Sequence, residues 1–454
     1  MMTSLYTGVT AMSSNQMKID VISNNIANAN TVGYKYQTVS FADSLNQQIS
    51  GATAPTNTSG GINPMQVGLG VGVASVSTVS TMGSLQYTGN PTDMAISGDG
   101  YFVVANPEGG CNFTRAGNFG VDSDGNLVTG DGYEVCGWQQ ATVQDDGSYV
   151  FDTSTEQDPI NLYTNDSGES TRTIAPSVTT EANLTGNLNA TDEVQGIAID
   201  DIGDAATKDG ASADYVMPMT VVDNLGAEHQ VNVEYYKCLS AENADGEMET
   251  SYYYRMVDSE GNVINDGTDD AEGYIKFDAN GQLITDEADF ETSADITITP
   301  EGGTDPFTFS MDFSTLTMYG SESNVLPSHI DGNTSGELMD FSVDANGVIM
   351  GIYSNGQQQP LGILSIATFS NPAGLEKSGD NLYSTTSNSG DFTIGHPPGV
   401  GGAGQLSIGT LEMSNVDLSR EYSELIVAQR GYQASSSIIS TVDELLQELI
   451  NLKR

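Results

Sequence analysis

The chain has 454 residues, and its 61 acidic against 13 basic side chains give a formal net charge of −48 at neutral pH. That field repels phosphate and anionic lipid, which excludes nucleic acid and membrane surfaces as partners, and the length points to about three domains because it exceeds what one hydrophobic core serves. Gly and Pro at about 14% lie below the disordered range, no apolar run reaches the ~18 residues of a membrane span, and Cys111, Cys136 and Cys238 are too few for a disulfide framework and are expected as small buried residues.

Leu5, Met12, Ile19 and Ile26 recur every seven residues, with Val9, Ile22 and Ala29 beside them on the same face. This spacing predicts an amphipathic helix over 1–30, started by Ser4 as cap and ended near Asn30 by the Asn-rich exit before Gly33. The opening run lacks the basic region, apolar stretch and cleavage site of a secretory signal, so general secretion is not expected.

Residues 31–72 are expected as an extended connector, since 50–72 is rich in Gly, Thr, Ser and Asn. The alternation of Gly with Leu and Val over 68–72 fits a flexible or closely packed strand, not a nucleotide loop. From there to about residue 410, short runs of Val, Ile, Thr and Tyr alternate with Gly, Asn and Asp clusters, which predicts strands. Four places, 121–127, 257–263, 277–283 and 343–348, repeat an apolar-Asp-x-x-Gly-x-apolar pattern or a one-residue-tighter variant. Each predicts a hairpin turn, with Gly at positive φ and the Asp side chain capping its own turn.

Charge divides the β region. Residues 151–340 hold 39 acids and five bases, a net −34 that marks an acidic β-rich insertion between the flanks 73–150 and 341–410, whereas residues 1–42 carry +1 and 411–454 carry −3. In 411–454, Leu418, Leu425, Tyr432, Ile439 and Leu446 form a second seven-residue series, with Ala428, Val442 and Leu449 at companion positions three residues on. The expected fold is therefore mainly β with α-helical coiled-coil termini, the N- and C-terminal helices paired.

Chemistry is sparse. His229, His329 and His396 stand in no metal-binding or nucleophile spacing, no Gly-x-x-x-x-Gly-Lys loop occurs, and the Asp122–Gly125 turn lacks the later ligands of a calcium loop. No catalytic, cofactor or metal site is expected, and the chain is read as a non-enzyme.

An apolar stripe at each end fits a single intramolecular helix pair. Two features argue for burial between chains as well: the first helix is amide-rich (Asn15, Gln16, Asn24, Asn25, Asn28, Asn30) and Ser435, Ser436 and Ser437 dilute the second, so a lone pair is weak and many copies together are not.

The run ISNNIANANTVGYK at 22–35 resembles the N-terminal signature of the bacterial flagellar rod and hook proteins, and SNVDLSREYSELIVAQRGYQASSSIISTVDELLQELINL at 414–452 resembles the C-terminal one. Runs at 97–104, 113–138 and 369–390 add to the likeness, which leaves 151–340 uncovered. The signature residues are Asn24, Asn25, Asn28, Gly33, Tyr34, Asn415, Asp417, Gln429, Arg430 and Tyr432. Rod proteins of this family are shorter, whereas its hook proteins carry a large β insertion, so the resemblance implies a hook subunit.

It implies further an unfolded chain passed through the flagellar type III export apparatus, assembly under a hook cap into a homopolymer, and a tube in the hook and basal body, outside the cell, that joins rod to filament and meets rod and hook–filament junction proteins. Leu5, Met12, Ile19, Ile22 and Ile26, with Leu418, Leu425, Tyr432, Ile439, Val442, Leu446 and Leu449, would then carry self-assembly, and the tube would bend while transmitting torque. Two other readings stay open: a distal rod protein with an unusual insertion, and an extracellular acidic adhesin, which the Tyr-rich middle (Tyr235, Tyr236, Tyr252, Tyr253, Tyr254) permits.

Overall fold

The seven-residue spacings at the two ends become two long helices, α1 (Met2–Ala27) and α2 (Leu418–Leu452). They belong to a computed structural model that describes every residue except 1, 56–59, 107–108, 144–148, 166, 195–211, 243–247, 265–270, 285–291, 301–304 and 453–454. α1 begins ahead of Ser4, which therefore lies inside the helix and is not its cap. It stops three residues short of Asn30, because Asn28 folds its amide back onto the Asn24 carbonyl at 2.9 Å and onto the Asn24 side chain at 3.0 Å. α2 is started by Asp417, whose Oδ1 accepts the N–H groups of Ser419 (2.9 Å) and Arg420 (3.3 Å), two donors the helix itself leaves unpaired.

Between the helices the chain is mainly strand and divides into two units: Met1–Thr171, Asp340–Gly351 and Gln358–Arg454 form one, Arg172–Met339 and Ile352–Gln357 the other. In the first unit a five-stranded sheet runs in the order Ile366–Ala367, Tyr101–Ala105, Cys111–Thr114, Leu382–Ser384, Glu376–Gly379. Its apolar side gathers Tyr101, Val103, Phe113, Cys136 and Tyr383 into a core. Cys136 and Cys238 are buried as small core residues, while Cys111 is half-buried.

The stretch read as an extended connector folds back on itself. Gln37–Asp43 pairs antiparallel with Val71–Thr78, and Asn46–Ser50 with Met65–Gly68, as one continuous ribbon. Partners opposite one another share a face, so one side carries Val39 against Val76, Phe41 against Val73, Asp43 against Val71 and Gln47 against Val67, with Leu45 and Leu69 joined by a main-chain hydrogen bond between them. The other side carries Thr38 against Ser77, Ser40 against Ser75, Asn46 against Gly68 and Gln48 against Gln66. Period-two alternation of apolar and polar residues was hidden in the sequence by a Gly at nearly every second place from 68 to 72.

The second unit is a sandwich of two four-stranded sheets. One is ordered Ser293–Ile298, Phe307–Tyr319, Glu181–Asn189, Leu326–Ile330, and the other Tyr215–Val222, Glu228–Glu242, Met248–Val257, Glu272–Phe277. Alternation divides the tyrosines: Tyr235, Tyr252 and Tyr254 enter the shared core with Phe277, Phe309 and Phe313, and Tyr236, Tyr253 and Tyr274 form a second buried cluster with Cys238. All four expected Asp-Gly turns are present. In each, the Asp Oδ1 accepts the N–H groups two and four residues on, at 2.7–3.0 Å, and Gly sits at φ between 78° and 94°. Donation by the Asn262 side chain and backbone holds the Asp258 carboxyl below its usual range.

Tyr235 is 0% exposed and its hydroxyl has no hydrogen-bond partner among the described residues, whereas Tyr215 Oη donates to the Val325 carbonyl at 3.0 Å. Removing an unmet buried hydroxyl relieves a desolvation cost, so Tyr235→Phe is expected to leave stability unchanged or raise it, while Tyr215→Phe lowers it by about 1 kcal/mol. Urea denaturation of the two variants measures the difference.

Candidate functional site

Among the described residues no three His, Cys, Asp or Glu side chains are grouped to hold a metal ion. Four buried charged side chains, Lys35, Arg115, Glu412 and Glu421, instead gather where the two termini meet the β-domain of the first unit.

Glu412 ends the strand Thr410–Glu412, which pairs with Leu85–Tyr87. Its Oε1 accepts from Lys35 Nζ at 2.5 Å and from the Gly83 N–H at 2.8 Å, and its Oε2 accepts from Arg115 Nη1 at 3.1 Å. Lys35 also donates to the Thr81 carbonyl (2.9 Å), and Arg115 to the carbonyls of Ile96 (3.2 Å) and Gly98 (2.7 Å) while stacking 5.4 Å from the Tyr101 ring centre. None of the three is more than 3% exposed. Burial lowers the Lys35 ammonium from its ordinary value, and Glu412 opposes that shift. Three ions can be held out of water only because nearly every polar atom finds a partner.

The connector reaches this cluster through Gly33, whose N–H donates to the Glu412 carbonyl at 2.8 Å. Gly33 has φ +70°, and a Cβ there would lie 2.6 Å from the Ala116 nitrogen, so the backbone passes where no side chain fits. Asn25 is the second node. Its Nδ2 donates to the Gln37 carbonyl (2.8 Å) and Glu421 Oε2 (3.0 Å), and its Oδ1 accepts the Gln37 N–H (3.0 Å) and Tyr34 Oη (3.3 Å). Asn415 is the third, accepting the Tyr36 N–H at 2.8 Å and donating to the carbonyls of Val79 (2.9 Å) and Thr81 (3.0 Å). Lys377 seals the edge, its Nζ 4.3 Å from the Tyr34 ring centre and 3.0 Å from the Lys35 carbonyl oxygen it donates to; burial pulls its pKa down to about 8.

Beyond the junction, α1 and α2 run antiparallel. Asn25 meets Glu421, Lys18 pairs with Glu424 at 3.3 Å, Asn15 lies against Gly431, and Ile439 lies over Gly8. The buried positions of α2 are Glu421, Ala428, Ser435 and Val442, seven apart, with Leu425, Tyr432, Ile439 and Leu446 half-buried beside them and Leu418 exposed. On α1, Ile22 and Asn25 are buried and Leu5, Met12, Ile19 and Ile26 are half-buried, as is Asn28 just past its end. Small residues at the closest approach push the larger apolar side chains to the flanks. The side chain of Leu449 lies outside the described residues. Asn24, Gln429 and Arg430 are exposed, Arg430 donating to Gln433 Oε1 at 3.1 Å.

The structure thus brings Asn25, Gly33, Tyr34 and Asn415 together and leaves Gln429 and Arg430 outside the junction. Sequence reasoning passed over Lys35, Arg115, Glu412 and Glu421. A signal was present for Lys35, one of only 13 cations and the single charged residue of the run at 22–35.

Four family models match along the chain: "Flagella basal body rod protein" at 5–35, "Flagellar hook protein FlgE/F/G D1 domain" at 95–203, "Flagellar basal body protein FlaE D2 domain" at 183–333 and "Flagellar basal body rod FlgEFG protein C-terminal" at 408–452. The flagellar hook protein FlgE of Borreliella burgdorferi is 35% identical over 467 residues, covering 100% of both chains, and that of Treponema pallidum 34% over 479 residues with the same coverage. The chain belongs to the flagellar hook protein family. Membership makes it an axial structural component of the flagellum. The match at 183–333 extends the likeness into the acidic insertion, which the sequence runs alone left uncovered. The flagellar basal-body rod protein FlgG of Bacillus subtilis is 28% identical over 454 residues, covering 100% of both chains, so the likeness also reaches a rod-named member.

Replacing Glu412 by Gln leaves two buried cations facing a neutral amide, and Glu412→Gln is expected to destabilise the first unit by about 3–5 kcal/mol in chemical denaturation. Lys377 gives a pH dependence of definite sign. With its pKa near 8 in the folded chain against 10.5 as the ordinary value, the folded state binds fewer protons between those limits, so stability rises with pH across that window. Lys377→Met is expected to flatten that rise in denaturation curves taken from pH ~7 to ~10.

Proposed function

We propose that the chain polymerises into the hook as a flexible tube, a universal joint that carries motor torque while bending. The observation that carries this reading is the wet apolar surface of the two terminal helices: Tyr6 and Val9 on α1 and Tyr422, Ile426, Val427 and Ile438 on α2 are each at least 49% exposed in the single chain. Helices with so much apolar surface in water gain most of their stability from further copies. In the tube the helices associate as coiled coils through Leu5, Met12, Ile19, Ile22 and Ile26 and through Leu425, Tyr432, Ile439, Val442, Leu446 and Leu449, with Leu418 at the α2 entry.

The partition that serves this role is an inner helical layer (1–30 and 411–454), a connector (31–72), a flanking β-domain (73–150 with 341–410) and an acidic outer domain (151–340). Like charge on the outer domains opposes their locking together, so they slide as the joint bends. Copies reach the growing end through the type III export apparatus and meet the rod, the hook cap and the hook–filament junction proteins outside the cell, with no catalytic step. The full-length similarity to a rod-named relative favours one second reading, a place in the distal rod. Antibody labelling of isolated basal bodies separates the two by position.

Ile439→Asp tests the helical layer. It puts a carboxylate against α1 with the nearest described cation, Arg430, nine residues away along the helix, at a cost of roughly several kcal/mol per copy. Polymerisation is expected to be lost while the β-rich circular dichroism of the monomer persists. Ser437→Asp, at an exposed position, is expected to assemble normally. Assembly of Ile439→Asp together with failure of Ser437→Asp would place the seam on another face.

A further inference from the structure

The ribbon of the connector has one face that is mostly apolar, broken by Asp43 and Gln47, and one of amides, serines and glycines, and a two-stranded ribbon with a bare, mostly apolar face is not stable alone in water. Phe41, Leu45 and Val67 on that face, with Ile49 and Met65 at the register shift that ends the ribbon, are 41–68% exposed. α2 carries a second bare stripe: Val427, Ala434, Ile438 and Leu445 fall at helical spacing on one side and are all exposed.

The two surfaces match. From Phe41 to Ile49 the ribbon extends about 26 Å at strand rise, and from Val427 to Leu445 the helix extends about 27 Å. Both are almost free of charge in a chain of net −48. The ribbon strands hold a single ionisable group, Asp43, which accepts from Asn46 Nδ2 at 2.8 Å, and the helix positions facing this way between 427 and 445 are Val, Gly, Ala, Ile, Thr and Leu. These are patches on which identical acidic chains approach without repulsion. Both stripes are bare in the same molecule at once, so they do not cover each other within one chain.

We infer that the apolar face of the ribbon covers the Val427–Leu445 stripe of α2 in a second copy of this chain. The inference rests on the polymer reading above and names its contact. Two different patches that fit one another make a heterologous contact, which repeats from copy to copy and builds an open helical filament, whereas a patch that fits itself closes at a dimer.

The test uses two full-length variants, Leu45→Asp, which spoils the ribbon and keeps the helix stripe, and Val427→Asp, which does the reverse. Both positions are exposed, and circular dichroism matching the unmodified chain verifies each fold. Each variant alone is expected to stay monomeric in sedimentation at concentrations where the unmodified chain polymerises. An equal mixture is expected to shift to twice the monomer mass and no further, because one good ribbon meets one good stripe. A mixture that stays monomeric overturns the inference and leaves the polymer reading standing. So does a dimer of Val427→Asp alone, which would mean ribbon on ribbon, or of Leu45→Asp alone, which would mean helix on helix. An unmodified chain that remains monomeric throughout overturns the polymer reading and this contact with it.

Discussion

A carboxylate shut away from water must find cations, and the one at Glu412 finds them in Lys35 and Arg115, 377 and 297 residues away in sequence. That single requirement ties the connector, the five-stranded sheet and the lead into α2 to one point. Gly33 is bare because the chain must pass against the 115–116 backbone to bring Lys35 in. Asn25 and Asn415 lie on either side, each using its amide to satisfy main-chain groups of strands that end there. Breaking the ion cluster would therefore loosen the attachment of both helices, where an ordinary core substitution would be felt only nearby.

What the cluster holds in place is an unfinished surface. α1 and α2 approach closely through Gly8, Asn15, Ala428, Gly431 and Ser435, so their backbones come near one another while Leu and Ile side chains remain half out in water. The ribbon beside them has the same character. The second unit is the opposite case: its aromatic and aliphatic residues are closed between two sheets, and Glu181, Glu228 and Asp295 stand at exposed positions of the same strands.

The sequence by itself determined the features whose cause is local. Seven-residue apolar spacing is enough to make a helix, and Asp417 before α2 caps it through atoms two and three residues away. Asp-x-x-Gly turns close on their own side chains, and alternating Val, Tyr and Thr cannot sit still as anything but strands. The signature amides at 25 and 415 were visible as residues, though not as hydrogen-bonding hubs.

Tertiary structure alone decided the rest, because the deciding contacts join residues far apart. Which stripe of α2 lies innermost depends on the small residues that α1 presents: Glu421, Ala428, Ser435 and Val442 go in, and the larger series Leu425, Tyr432, Ile439 and Leu446 stays at the flank. The ribbon exists only because 37–50 meets 65–78 in register, a pairing that a run of Gly, Ser and Gln does not announce. Glu412 looked like one acid among 61 until the fold closed Lys35 and Arg115 around it, since a charge becomes structural only when water is excluded from it.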